Sequence, residues 1–227
     1  ASTEGALEAL QNPNLSVRYQ AWQTLHKMGA EAEKNLAELF NNHENPRMRA
    51  RALWLLSKIP ETGRKYLELA MEDSNPDIRI TALRAARQLE GDILPYLTNL
   101  VKDAEVQVRR ESAIALRNLE APDLWAELAN QHDGKDRWFL EALGIGAEGH
   151  WDSYFSAWKN HKDNQTITGN AQRDIIWRAR TDQAIPHLAL LASNDKESIN
   201  QRLRYFRAFD FNPDGPKKST ALINMLD

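Results

Sequence analysis

An apolar pattern recurs four times in the first half of the chain, each time around an arginine. It reads Val17-Arg18-x-x-Ala21, Met48-Arg49-x-x-Ala52, Ile78-Arg79-x-x-Ala82 and Val108-Arg109-x-x-Ser112. Apolar residues follow at seven positions after the arginine (Leu25, Leu56, Ala86, Leu116) and at ten (Met28, Ile59, Leu89, Leu119). Offsets of −1, +3, +7 and +10 share one face of a helix with ~3.6 residues per turn. Each copy therefore predicts an amphipathic helix of about four turns. A turn pair precedes it: Asn14-Leu15, Asn45-Pro46, Asn75-Pro76 and Glu105-Val106. Asn favours turn initiation, and Pro is well placed in the first helical turn, where its missing N–H costs nothing.

A second apolar stripe runs ahead of each turn: Leu7 and Leu10; Leu36, Leu39 and Phe40; Leu67 and Met71; Leu97, Leu100 and Val101. Each unit is thus helix, tight turn, helix. Neither helix alone can bury its stripe, so units must stack on one another. The arginines recur every 30 or 31 residues, shorter than the ~34 of tetratricopeptide repeats. The phrase Asn-Pro-x-Val-Arg-x-x-Ala-x-x-x-Leu resembles compact bacterial HEAT-like repeats. The resemblance implies an all-α fold: a right-handed α-α superhelix of HEAT/armadillo type with about seven helical pairs. It is expected to form one solenoid over 1–227, with regular repeats at 7–120 and degenerate ones at 121–227. In stacked repeats, an arginine at this position bridges to an acidic or carbonyl group of the neighbouring unit. Arg18, Arg49, Arg79 and Arg109 are accordingly expected to be structural, with Asp73, Asp77 and Asp103 in or near the turns.

Beyond Leu119 the period slips. Pro122 opens a helix, Asp133-Gly134 marks a turn, and Asp136 to Ala147 reads as a helix ended by Gly144 and Gly146. Trp151, Tyr154, Phe155 and Trp158 form an aromatic stripe. Asn160 to Asn170 is polar and loop-like, and Ile175, Ile176 and Ala179 complete a sixth unit. Ile185-Pro186-His187-Leu188 starts a seventh, whose second helix carries Ile199, Leu203 and Phe206. Phe211-Asn212-Pro213-Asp214-Gly215-Pro216 breaks the pattern, and Thr220 to Leu226 reads as a capping helix or half of an eighth unit. Trp125, Trp138, Trp151, Trp158 and Trp177 fit aromatic packing between irregular helices.

Two stretches carry a narrower resemblance. Asp133 to Ala147 and Arg204 to Phe211 resemble phrases of one group of large secreted bacterial proteins. In that group a propeller similar to sugar dehydrogenases is followed by a HEAT-like segment and then a c-type haem domain. The resemblance implies a periplasmic or secreted location, and redox chemistry in the neighbouring domains. The start, Ala1 to Ala6, is expected to be a cloning edge or the flank of an excised domain.

Charge and composition narrow the function. Charged residues make up 27% of the chain, yet the formal net charge is −3. Overall charge therefore gives no drive towards nucleic acid or an acidic membrane. There are no cysteines, which excludes disulfides, thiolate metal sites and a cysteine nucleophile. No apolar run approaches the ~18 residues of a membrane span. No two of the six histidines take the i, i+4 spacing of a helical zinc pair, and His43-Glu44 alone is too little for a di-iron site. Gly144-x-Gly146 lacks the strand and third glycine of a dinucleotide loop. No catalytic, metal or cofactor residue is assigned.

The leading expectation is a non-catalytic scaffold whose partner is a protein or flanking domains of its own parent chain. Offsets of +2 and +5 from the repeat arginine point away from the core stripe, towards an inner surface. They place Arg51 and Glu111 in one column, and Trp54, Arg84 and Ile114 in another. Tyr19, Arg51, Trp54, Arg84, Arg87 and Arg117 are the candidate partner contacts, because aromatics and arginine dominate binding hot spots. Arg51, Arg84, Arg87, Arg110 and Arg117 would make that surface locally basic. The alternative is a HEAT-like DNA glycosylase or other DNA-binding solenoid, with Trp, Asp and Arg on its concave face; the net charge argues against it.

Overall fold

The computed structural model of the protein describes residues 2–226; Ala1 and Asp227, the two ends of the expected solenoid, lie outside them. The described residues form fifteen α-helices and three short 3₁₀ turns, with no strand. The all-α expectation holds. Packing divides the chain into two compact units, Ala1–Val108 and Arg109–Asp227.

In the first unit the helices are α1 (Thr3–Leu10), α2 (Leu15–Met28), α3 (Glu33–Asn42), α4 (Pro46–Leu56), α5 (Gly63–Met71), α6 (Pro76–Leu89) and α7 (Leu94–Leu100); α8 (Val106–Ala115) begins there. The turn signals act as read. Asn14, Asn45 and Asn75 each accept a hydrogen bond from a backbone N–H of the following first turn, which satisfies donors the helix itself cannot. Pro46 and Pro76 open α4 and α6. Helices pair in order, α1 with α2, α3 with α4, α5 with α6. First helices layer on first helices (α1 on α3, α5 on α7) and second on second (α2 on α4, α4 on α6). Leu25, Leu36, Phe40, Leu53, Leu56, Leu67, Ala82 and Ala86 fill the core between them.

Two stripe positions differ from expectation. Val17 and Leu89, at the outer ends of their stripes, are 36% and 38% exposed. α6 stops at Leu89, so its tenth-position residue sits at a helix end rather than under the next layer.

The second unit contains the rest of α8, then α9 (Pro122–Asn130), α10 (Arg137–Gly146), α11 (Trp151–Asn160), α12 (Asn170–Arg178), α13 (Ile185–Ser193), α14 (Ile199–Arg207) and α15 (Pro216–Asn224). Here α9 packs on α11, α10 on α12, and α13 on both α14 and α15. Trp125, Tyr154, Phe155 and Trp158 are buried at its centre. The Trp125 indole N–H donates to the Leu143 carbonyl at 2.9 Å. The Tyr154 hydroxyl donates to the Leu119 carbonyl at 2.8 Å, and burial pushes it up to about 12.

Four expectations change in this unit. Trp138 is 73% exposed on α10 and packs no core. Gly146 is the last residue of α10, as expected, but Gly144 lies inside the helix and does not end it. They are small because a Cβ at Gly144 would meet the Arg178 guanidinium, and one at Gly146 the Ala113 carbonyl oxygen. The polar stretch 160–170 is anchored by buried Asn164, whose amide donates to Asn130 Oδ1 at 2.7 Å and to the Trp158 carbonyl at 2.9 Å. On α14, Ile199, Leu203 and Phe206 are exposed while Tyr205 is buried, followed by Ala208 and Phe209. The helix is rotated relative to its apparent stripe because the aromatic ring of Tyr205 and the turn behind it offer more apolar surface to α13.

Candidate functional site

The repeat arginines belong to the framework. The Arg49 Nε donates to the Phe40 carbonyl at 2.7 Å, and its guanidinium pairs with Asp73, in the turn of the next repeat. Arg79 repeats the arrangement with Asp103. Its remaining Nη1 donates to the Asp73 carbonyl at 2.7 Å. Arg18 donates to the carbonyls of Asn12 and Pro13 at 2.8 and 2.7 Å. Arg109 lies over the Phe139 ring, 5.7 Å from its centroid.

Two arginines of the degenerate half do the same work and were not read as repeat positions. Arg173 on α12 pairs with Glu197 at 2.6 Å, again 24 residues ahead, as for Arg49 with Asp73 and Arg79 with Asp103. On α14 the Arg202 Nε donates to the Ala192 carbonyl at 2.9 Å, as Arg49 does to Phe40. The missing signal is the flanking apolar frame: Gln172 and Gln201 stand where the first half has Val, Met or Ile.

Of the candidate contacts, Tyr19 and Arg51 come together. With Leu10, Leu15, Arg18 and Trp22 they line a groove of about 390 Å³ in the first unit. Tyr19 and Leu15 are 58% and 71% exposed. Trp22 is half-buried and stacks on His26 with ring centroids 4.9 Å apart. The Arg51 Nη1 donates to the Leu10 carbonyl at 2.8 Å. Burial lowers the Arg51 pKa, and the Arg18 and Arg47 charges lower it further, with no acidic group among the described residues offsetting them. The groove thus joins guanidinium donors to an apolar, aromatic wall. That combination suits recognition of an anion with an apolar neighbour; nothing in it moves protons.

Trp54 is half-buried on α4, and Arg84 and Arg87 are exposed on α6. Arg117, in the second unit, pairs with Glu148 at 2.7 Å with both side chains half exposed. Arg110 pairs with Asp136 at 2.5 Å. The expected basic surface is therefore smaller than the sequence implied, since two of its arginines face carboxylates. Glu111 is 7% exposed beside buried Ser112 and Ala113, so it does not stand on an open surface.

A larger groove of about 660 Å³ opens between α13 and α15. Its walls are mainly apolar, with Lys217 the one charged side chain among the described residues, so among them it lacks the convergent polar groups that orient a ligand. In the same unit, buried His132 and Arg204 both contact Asp174, at 3.2 and 2.6 Å, and Arg204 stacks over Trp177 at 4.5 Å. Among the described residues no group of three or more His, Cys, Asp or Glu could hold a metal ion. No helix among them is long and apolar enough to cross a membrane.

No protein-family profile matches the chain. No curated protein matches it either. Among solved structures, a crystal structure titled as an engineered protein, a target of the Northeast Structural Genomics Consortium, is 17% identical with a TM-score of 0.32, covering 100% of this chain and 97% of its own.

Proposed function

We propose that the chain is a non-catalytic interaction scaffold: a right-handed α-α superhelix of about seven helical pairs that docks a protein, or the neighbouring domains of a parent chain, on the face of its second helices. The observation that supports this is the ladder of arginines. Arg49, Arg79 and Arg173 each tie one repeat to the turn of the next, which fixes the spacing of successive helices. A rigid, regularly spaced helix face lowers the ordering cost of binding. Tyr19, Arg51, Trp54, Arg84 and Arg87 are the contacts assigned to that face in the first unit, and Arg117 in the second.

Photo-crosslinking tests the reading. A photoreactive residue at Trp54 should trap a discrete polypeptide, and Trp54→Ala/Arg84→Ala should lose capture while keeping its helical circular dichroism. Unchanged capture by the double variant would count against the assignment. The resemblance of 133–147 and 204–211 supports a place beside a dehydrogenase-like propeller and a c-type haem domain in a secreted protein. A reading frame that continues past Asp227 into Cys-x-x-Cys-His would support that placement, and a stop codon there would remove it.

A further inference from the structure

The groove between α2 and α4 gathers arginine charge. Several other arginines face carboxylates, Arg49 with Asp73, Arg79 with Asp103 and Arg110 with Asp136. Arg18 and Arg51 line this groove, the Arg47 charge is near enough to act on Arg51, and among the described residues no carboxylate is among the charges acting on Arg51. Arg18 and Arg51 spend Nη1 on backbone carbonyls, which anchors both guanidiniums. This positive charge sits in a chain of net charge −3, beside exposed Leu15 and Tyr19.

We infer that this groove binds an acidic segment of a partner protein, with a carboxylate held between Arg18 and Arg51 and a neighbouring apolar side chain against Tyr19 and Trp22. Charge complementarity selects the anion: a carboxylate accepts paired N–H donors from guanidinium, with a stronger bond than a neutral acceptor gives. The apolar wall selects the neighbour. A polyphosphate backbone is disfavoured because the remaining surface of an acidic chain repels it. The inference rests on the protein-binding reading above and names the chemistry of one contact within it.

Fluorescence anisotropy on the full chain tests it, with labelled peptides of about ten residues built around Glu-Leu-Asp-Phe, their Gln-Leu-Asn-Phe counterparts, and a single-stranded oligothymidine. The acidic peptide should bind, and its amide counterpart should bind about tenfold more weakly. Arg18→Gln also removes bonds to the Asn12 and Pro13 carbonyls, so the exposed sites Arg47→Glu and Tyr19→Ala carry the test; each should weaken binding several-fold with helicity unchanged. Trp54→Ala/Arg84→Ala should bind the peptide as the parent does. That control separates the two claims, since crosslinking through Trp54 can succeed where the peptide fails. Equal binding of acidic and amide peptides, no binding of either, or tighter binding of oligothymidine would overturn the inference.

Discussion

Arg79 and Asp103 form a two-pronged ion pair, with Nε and Nη2 each 2.7 Å from one carboxylate oxygen. The side chains are 13% and 9% exposed, and the Asp103 Oδ1 also accepts the Glu105 N–H at 2.9 Å. Removing one partner leaves a nearly buried charge without its counterpart. Arg79→Ala or Asp103→Asn should lower unfolding free energy by about 2–4 kcal/mol in urea titrations. Arg64→Ala, which breaks an exposed pair with Glu68, should leave the urea midpoint unchanged, because such pairs are screened by solvent.

Gly146 should resist enlargement. A Cβ there would collide with the backbone carbonyl of Ala113, which cannot swing aside as a side chain can. Gly146→Ala should cost about 1–3 kcal/mol, despite the better helix propensity of alanine. Gly91→Ala, with open space around the site, should be near neutral. Thermal unfolding of the two variants side by side checks the contrast.

Asp174 should shape the acid limb of stability. Burial by itself raises its pKa, but hydrogen bonds from His132 and Arg204 outweigh that and hold the carboxyl below its ordinary value. A depressed carboxylate stabilises the fold above its unfolded pKa of ~3.9, and that contribution is lost as pH falls through the folded value. Asp174→Asn should therefore be less stable than the parent at pH ~7 and show a flatter decline below pH ~4. An unchanged slope in urea midpoints against pH would contradict the assignment.

α14 offers a paired test of which face is buried. Tyr205 is 3% exposed and Leu203 45%. Tyr205→Ala should cost about 3 kcal/mol or more, whereas Leu203→Glu should stay within about 0.5 kcal/mol. The apolar spacing of Ile199, Leu203 and Phe206 taken alone predicts the reverse order.

The first four repeats are legible because their signals reinforce one another: an arginine in all four, an Asn cap in three (Asn14, Asn45, Asn75), a Pro at the first turn in two (Pro46, Pro76), and a small residue at Ala21, Ala52, Ala82 and Ser112. The degenerate half kept its helices but hid its register. Gln172 and Gln201 blur the frame around Arg173 and Arg202, and the exposed stripe of α14 imitates a core face. Periodicity also says nothing about ion pairs across repeats. Arg110 and Arg117 read as a basic surface until Asp136 and Glu148, 26 and 31 residues away, came beside them. The groove is half visible in the sequence: Tyr19 and Arg51 stand out as candidate contacts, while the repeat pattern marks Arg18 as framework alone. Their convergence depends on how α2 layers on α4, which no local pattern states.

The most direct test of the scaffold reading is hydrogen exchange on the chain alone and with the polypeptide crosslinked through Trp54. Partner-induced protection should concentrate on the second helices of the first unit, α2 (Leu15–Met28), α4 (Pro46–Leu56) and α6 (Pro76–Leu89). Protection confined to α1, α3 and α5, or no change on any helix, would contradict it.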